Sequence, residues 1–322
     1  MISQRENVLR AITGKGRPEW APISDDCLKF CIPSAILERP KFQDGKDWFG
    51  CEWKFFPETY GYAEVFGEKH ILEDVCDWRE VVKFPDLDAI DWEGCAAKDL
   101  EGFDRESQLL EVFWESGPFE RSHHLMGFEG AFFAMYDEPE EYKAFLSALT
   151  DWRIDAMGRV IDAYKPDIIF THDDVGTAKG PMLSLEMYRE FIKPCHKRMI
   201  QFIKSKGVLV IQHSCGMIEP FIGDMIDNGA DVINHLQGGM NDQEAILREY
   251  GDKVCFFGLT DPLVFLPYTT EEQLRAEMRR IIDTFAPYGR FIVDPFAMIP
   301  EHTAILLDEA RNYGAQCMAR YN

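Results

Sequence analysis

The chain has 322 residues, 46% hydrophobic and 28% charged, with a formal net charge of −22. That length can bury a large core, and we read residues 1–322 as a single globular domain. The charge argues against nucleic acid or an anionic membrane surface as partner, and no stretch approaches the ~18 uninterrupted apolar residues of a membrane span.

The first sixteen residues, "MISQRENVLRAITGKG", place Arg5, Glu6 and Arg10 among apolar residues. The spacing predicts an amphipathic helix and lacks the continuous apolar region of a signal peptide. The nine cysteines are odd in number and form no CxxC pair, which points to reduced thiols and a cytoplasmic protein. "WAPISDD" is a strand candidate. Residues 46–78 then carry a dense set of aromatics with Gly and Pro punctuation and read as a hairpin-like insertion. Its aromatics either form a mini-core or wall a flat, aromatic substrate.

"LLEVFWESG" is the next strand candidate, and from about residue 150 the pattern becomes regular. The helix "DWRIDAMGRVIDAY" leads through Pro166 into the strand "DIIFTHDD". A helix capped by Ser184 ends at Gly207 before the strand "VLVIQHSCG". "IEPFIGDMIDNG", "DQEAILREYG" and "TEEQLRAEMRRIIDTFAPYG" read as helices, alternating with the strands "DVINHLQ", "VCFFGLTD" and "RFIVDP". "PEHTAILLDEARNYG" is the last helix. The strands are short, Val/Ile/Phe-rich and unalternating, as when both faces are covered. Strand–helix alternation implies right-handed βαβ units. Seven strands are one short of a (β/α)8 barrel, and no GxGxxG supports a dinucleotide-binding open sheet.

In such a barrel, reactive groups gather at the carboxyl ends of the strands, and those ends are polar here. They carry Ser24 to Asp26, Glu115, Thr171 to Asp174, His213, Cys215, Asn234, His235, Gln237, Thr260, Asp261 and Asp294. His213 and Cys215, two apart, point to one side. An imidazole and a thiolate are natural zinc ligands, although a strand-end histidine can as well serve only in hydrogen bonding. His196 is expected at the surface, among Lys193, Lys197 and Arg198.

"THDDVGTAKGPMLSLEMYREFIKPCHKRMIQFIKSKG", "VIQHSCGMIEPFIGDMIDNGADVINHLQ" and "ERSHHLMGFEGAFFAMYDEPEEY" resemble the uroporphyrinogen decarboxylase superfamily, and more narrowly its corrinoid-dependent methyltransferase branch. The resemblance implies a (β/α)8 TIM barrel. The decarboxylases' arginine-bearing motif after the first strand is replaced by "ISDDCLKFCIPS", so a substrate rich in carboxylates would meet repulsion. Zinc methyltransferases that alkylate a thiol carry His-x-Cys and a later cysteine. His213 and Cys215 match the first two, whereas Ala297 stands near the third position and Cys255 and Cys317 lie elsewhere.

The resemblance therefore implies a methyl-donor enzyme that demethylates a methyl ether, with a methoxylated aromatic favoured. The methyl group would pass to the Co(I) of a corrinoid (cobalamin-type) protein. Zinc would be held by His213, Cys215 and one of Asp173, Asp174, Asp294 or Glu301. His172, Asp173 or Asp174 would act as general acid, and Asn234, Gln237 and Asp294 would contact substrate. The partners implied are the corrinoid protein and the small-molecule methyl donor, with room for a homo-oligomer. A metal-independent decarboxylase, a thiol-directed zinc methyltransferase and a non-catalytic corrinoid binder are the alternatives.

Overall fold

The computed structural model describes residues 2–57, 63–65 and 70–321. Its centre is a curled, seven-stranded, all-parallel sheet. In order, the strands are β1 (Leu28–Cys31), β2 (Leu109–Trp114), β3 (Ile168–His172), β4 (Leu209–His213), β5 (Val232–Asn234), β6 (Cys255–Phe257) and β7 (Phe291–Ile292). Each pairs with the next in sequence, as expected when helices carry the chain across. Ile23 bridges Val293 in parallel, so the segment leading into β1 reaches the far edge of the sheet. The strand read in "WAPISDD" is thus split. A helical turn, Ser24–Cys27, separates this bridge from β1. No eighth strand joins the sheet among the described residues.

The helices that matter below are α1 (Gln4–Thr13), α2 (Pro118–Met126), α3 (Pro139–Tyr164), α4 (Lys193–Ser205), α5 (Ile222–Asn228), α6 (Gln243–Tyr250), α7 (Glu271–Phe285) and α8 (Pro300–Met318). None of the described helices is long and apolar enough to cross a membrane. Ser184 caps the turn leading into α4 by accepting from Met187 N, where its side chain was expected to act.

One apolar cluster fills the inner face of the sheet. It joins Val8, Ala11 and Ile12 of α1 to Leu28, Leu109, Ile168, Phe170, Ile211, Val232, Cys255, Phe257 and Ile292. Arg5 of α1 donates to Asp167 Oδ2 at 3.0 Å, and Asp167 immediately precedes β3. The first helix therefore packs at the amino ends of the strands and leaves the polar carboxyl ends free.

Within the expected insertion, Gly45–Lys46, Glu52–Phe55 and Ala63–Val65 form a three-stranded antiparallel sheet. Residues 58–62 and 66–69 of that stretch lie outside the described residues. Trp48 packs 4.9 Å, ring centre to ring centre, from Trp152 of α3, and Phe49 packs 5.0 Å from the same ring. These two aromatics hold the small sheet onto the body of the protein.

Candidate metal centre

Three polar side chains converge where β3 and β4 end. Their ligand atoms, from His172, Asp174 and His213, all lie within 4.8 Å of one another. The strands place them there. His172 and His213 are register partners, and their rings stack at 4.4 Å with 17° between planes. Asp174 stands two residues past His172, on the same side of the chain.

Each imidazole is fixed from behind. His172 Nδ1 lies 2.8 Å from Glu120 Oε2, and His213 Nδ1 bonds the side-chain oxygen Oδ1 of Asn234. Both partners are acceptors, so each Nδ1 donates outward and each Nε2 faces the group. His213 Nε2 lies 3.5 Å from Asp174 Oδ1 and 3.4 Å from Cys215 Sγ. The thiol thus touches the three-residue group through His213.

Backbone packing holds this arrangement. Cys215 N donates to Asp174 Oδ1 at 2.7 Å, and Met217 N donates to Thr177 O at 2.9 Å. These bonds zip the loop after β3 to the loop after β4. Gly216 has φ +81°, and a Cβ there would meet Thr177 N at 2.6 Å. Only glycine permits that approach.

The electrostatics follow from the crowding. Burial draws His172 down, but Glu120 and Asp174 outweigh it and raise the imidazole to about 9. Burial opposes ionisation of Asp174, yet His172 and His213 hold it well below the usual carboxylate range. Burial, with Asp174 and Glu120, pushes the Cys215 thiol well above its ordinary value. Without a cation the thiol is protonated, and a metal bound there would displace that proton.

The other expected site residues fall elsewhere. Asp173 points away from the group and caps α2, accepting from Phe119 N at 3.1 Å and Glu120 N at 2.8 Å. His196 is a correction: it is buried, not at the surface, and its Nε2 lies 2.7 Å from Asp173 Oδ2. Gln237 Oε1 accepts from Gly216 N at 2.9 Å, behind the His213–Cys215 loop. Asn234 is the partner of His213 described above. Asp294 accepts from Ser24 Oγ at 3.2 Å and lies just past β7. Glu301 is exposed in the first turn of α8. Ala297 is buried, as are Cys255 in β6 and Cys317 in α8.

One neighbour escaped the sequence reading, and a second was named there only among the polar strand ends. Glu120 enters from the first turn of α2, and a Gly-Pro helix start directly after a strand was the available signal. His235 follows β5, with its ring 5.5 Å from that of His213. Its Nδ1 has no partner among the described residues, and burial beside His213 brings it down to about 3.

Comparison with known proteins bears on this geometry. The family profile described as "Uroporphyrinogen decarboxylase (URO-D)" matches residues 113–306. A methylated-thiol–coenzyme M methyltransferase of Methanosarcina mazei is 27% identical over 167 residues, 52% of this chain and 43% of that protein. A uroporphyrinogen decarboxylase of Chlorobium phaeobacteroides is 30% identical over 158 residues, 48% of this chain and 42% of its own. The match spans under half the length of either curated relative. A solved structure of a methyltransferase from Methanosarcina mazei superposes with a TM-score of 0.70 at 14% identity, covering 97% of this chain and 99% of that one. That last likeness is one of fold.

Proposed function

The chain belongs to the uroporphyrinogen decarboxylase (URO-D) family, and from that premise we propose that it is the methyl-donor methyltransferase of a corrinoid-dependent system. It would act as one domain on a (β/α)8-type barrel in the cytoplasm. It would take the methyl group of a methyl ether, a methoxylated aromatic, and deliver it to the Co(I) centre of a separate corrinoid protein. The observation that carries this reading is the convergence of His172, Asp174 and His213, with Cys215 against His213.

Two imidazoles bonded through their outer nitrogens, a carboxylate and an adjacent thiol are a donor set that fits Zn²⁺. When bound, zinc supplies a Lewis acid for the oxygen that departs from the methyl carbon. Glu120 and Asn234 orient the two rings, and Asp174 is held by the Cys215 amide. Phe30, Phe113 and Phe170 form a run of rings beside the group, with centres 5.3 and 5.0 Å apart. Phe113 stands 5.8 Å from His172. These faces suit an aromatic donor, whose methyl carbon passes to the acceptor while the C–O electron pair stays on oxygen.

A metal-free reading rests on His172. Raised to about 9 between Glu120 and Asp174, it carries a proton at neutral pH and could give it to a leaving group in a methyltransferase or a decarboxylase. Metal analysis separates the two. About one zinc per chain in the parent, and a large loss in a His213→Ala/Cys215→Ala double variant, is the expected result. Methoxylated aromatics would then transfer methyl to a reduced corrinoid protein. No metal in either protein after zinc is supplied at neutral pH would eliminate the Lewis-acid centre.

A further inference from the structure

The side chains of the metal centre alternate along β3 and β4 with residues that face the other way. Asp173 follows His172 and Gln212 precedes His213, so both turn to the outer side of the sheet. On that side Ile169 and Val210 share an apolar cluster with Met199, Ile200 and Ile203 of α4. His196 of α4 stands between the two polar residues. Its Nε2 lies 2.7 Å from Asp173 Oδ2, and its Nδ1 lies 3.0 Å from Gln212 Nε2 and 3.2 Å from the Tyr188 hydroxyl. All four side chains are buried.

This outer group grips the start of α2. Asp173 accepts from the amides of Phe119 and Glu120, and the Gly117 amide donates to His172 O at 2.6 Å. A Cβ at Gly117 would collide with the Asp173 carboxylate, so the helix start is fitted closely to the acid. The first turn held in this way carries Glu120, whose Oε2 lies 2.8 Å from His172 Nδ1. A continuous line of hydrogen bonds therefore runs from α4, through Asp173 and the first turn of α2, to a ring that faces the metal centre. A ligand keeps its place to within about 0.5 Å only where its supporting residues are themselves locked. His196 is the one side chain that locks Asp173 from behind, among the described residues.

We propose that His196 is a positioning residue for the metal centre: acting through Asp173 and the first turn of α2, it keeps Glu120 against His172. The consequence for zinc rests on the metal-centre reading above, whereas the contact itself does not.

The experiment takes the full chain with isotope-labelled histidine and reads two quantities. In metal-free protein, the His172 Nδ1 proton bonded to Glu120 should give a slowly exchanging downfield NMR signal, assigned by its shift in Glu120→Gln. Zinc affinity is then measured by competition with a chelator. His196→Phe, which fills the space without a donor, should abolish the signal and weaken zinc about tenfold, the low end for outer partners of metal-binding histidines. His196→Asn, too short to reach Asp173 yet polar toward Gln212, should do the same should the phenylalanine variant fail to fold. His196→Gln, whose amide donates from near the place of Nε2, should restore most of both readings. Ile203→Ala removes buried packing from the same helix, so it should lower the melting temperature and leave both readings unchanged. No such signal in the parent, a signal unchanged in His196→Phe and His196→Asn, or one lost equally in Ile203→Ala would overturn the proposal. Loss of the signal in a protein that binds no zinc would leave this assignment standing and remove the metal centre. Zinc bound equally by the parent and His196→Asn, with the signal intact, would do the reverse.

Discussion

Two buried polar clusters lie within this fold, and they are built in opposite ways. In the first, Arg121 donates to Asp47 and Glu38, Arg153 donates to Glu38 Oε1 at 2.8 Å, and Trp114 Nε1 donates to the same oxygen at 2.7 Å. Asp47 also accepts from Trp53 Nε1 at 3.0 Å and from the amides of Phe49 and Cys51. Only the Nε–H groups of the two arginines lack an acceptor. In the second, His172, His213 and Asp174 are tied by Glu120, Asn234 and the Cys215 amide, and their remaining ligand atoms face one another with the Cys215 thiol alongside. Saturation marks a joint, here between the small antiparallel sheet, α2 and α3. Unsatisfied donors that converge mark a place for something to bind.

The largest effect should come from breaking the joint. Arg121→Ala leaves Glu38 and Asp47 buried without their main cation, and removing one partner of a buried pair costs about 3–5 kcal/mol. Urea unfolding should show that loss with or without added zinc. His213→Ala should behave the other way, with unfolding changed little in metal-free buffer and zinc content collapsing. If His213→Ala proved as destabilising as Arg121→Ala without metal, the contrast between joint and site would be lost.

Glu111 of β2, 2% exposed and without a side-chain hydrogen bond or ion pair among the described residues, sharpens the comparison through pH. Its folded value, raised by burial to about 8, lies above that of an exposed glutamate. The contribution of the neutral form is therefore fully present below about pH 4.3 and is lost as pH rises through 8. Parent stability should fall across that window by up to about 5 kcal/mol from this group. Glu111→Gln should flatten the fall, so that its melting temperature exceeds the parent's at pH 9 and the gap closes near pH 5. Parallel melting curves at both pH values would mean that Glu111 is solvated or paired.

A smaller change should follow from loosening one ring. Glu120→Gln keeps an acceptor for His172 Nδ1 but removes the charge, and outer partners of metal-binding histidines typically govern 10–100-fold in metal affinity. Competition with a chelator should register a loss in that range, with unfolding in metal-free buffer nearly unchanged. An unaltered zinc affinity would take His172 out of the ligand set and favour its role as an acid.

How far all this could be read from the chain depends on the range of the interaction. Strand and helix order is local, and the apolar runs and caps announced it. The pairing of His213 with Cys215, and of His172 with Asp174, follows from the two-residue period of extended chain. That period also separates Asp173 from its neighbours, a distinction a run of two aspartates hides until the helix it caps is in place. His196 was legible in principle. It shares the spacing of Met199, Ile200 and Ile203, all buried on α4, and the flanking lysines obscured that stripe. Glu120 depends on where α2 lands after β2; the Gly117-Pro118 start marks the helix but not the direction in which its first turn points. Glu111 was the one charged residue inside "LLEVFW", a mismatch with its surroundings that the apolar run made easy to overlook.

The smallest effect concerns Gln237, and it tests which cluster that residue serves. The sequence suggested a substrate contact, whereas its Oε1 accepts from Gly216 N at 2.9 Å and so supports the turn that presents Cys215. Gln237→Ala removes one hydrogen bond, worth about 1 kcal/mol. A melting temperature lowered by a few degrees, with zinc affinity slightly weakened and the dissociation constant for a methoxylated aromatic unchanged, is the outcome expected of a supporting residue. An unchanged melting temperature with binding of that aromatic weakened tenfold would mean that the amide turns toward the ligand when one is bound. Gln237 would then belong with the unsatisfied donors of the site, and Gly216 would need another acceptor to keep the turn in place.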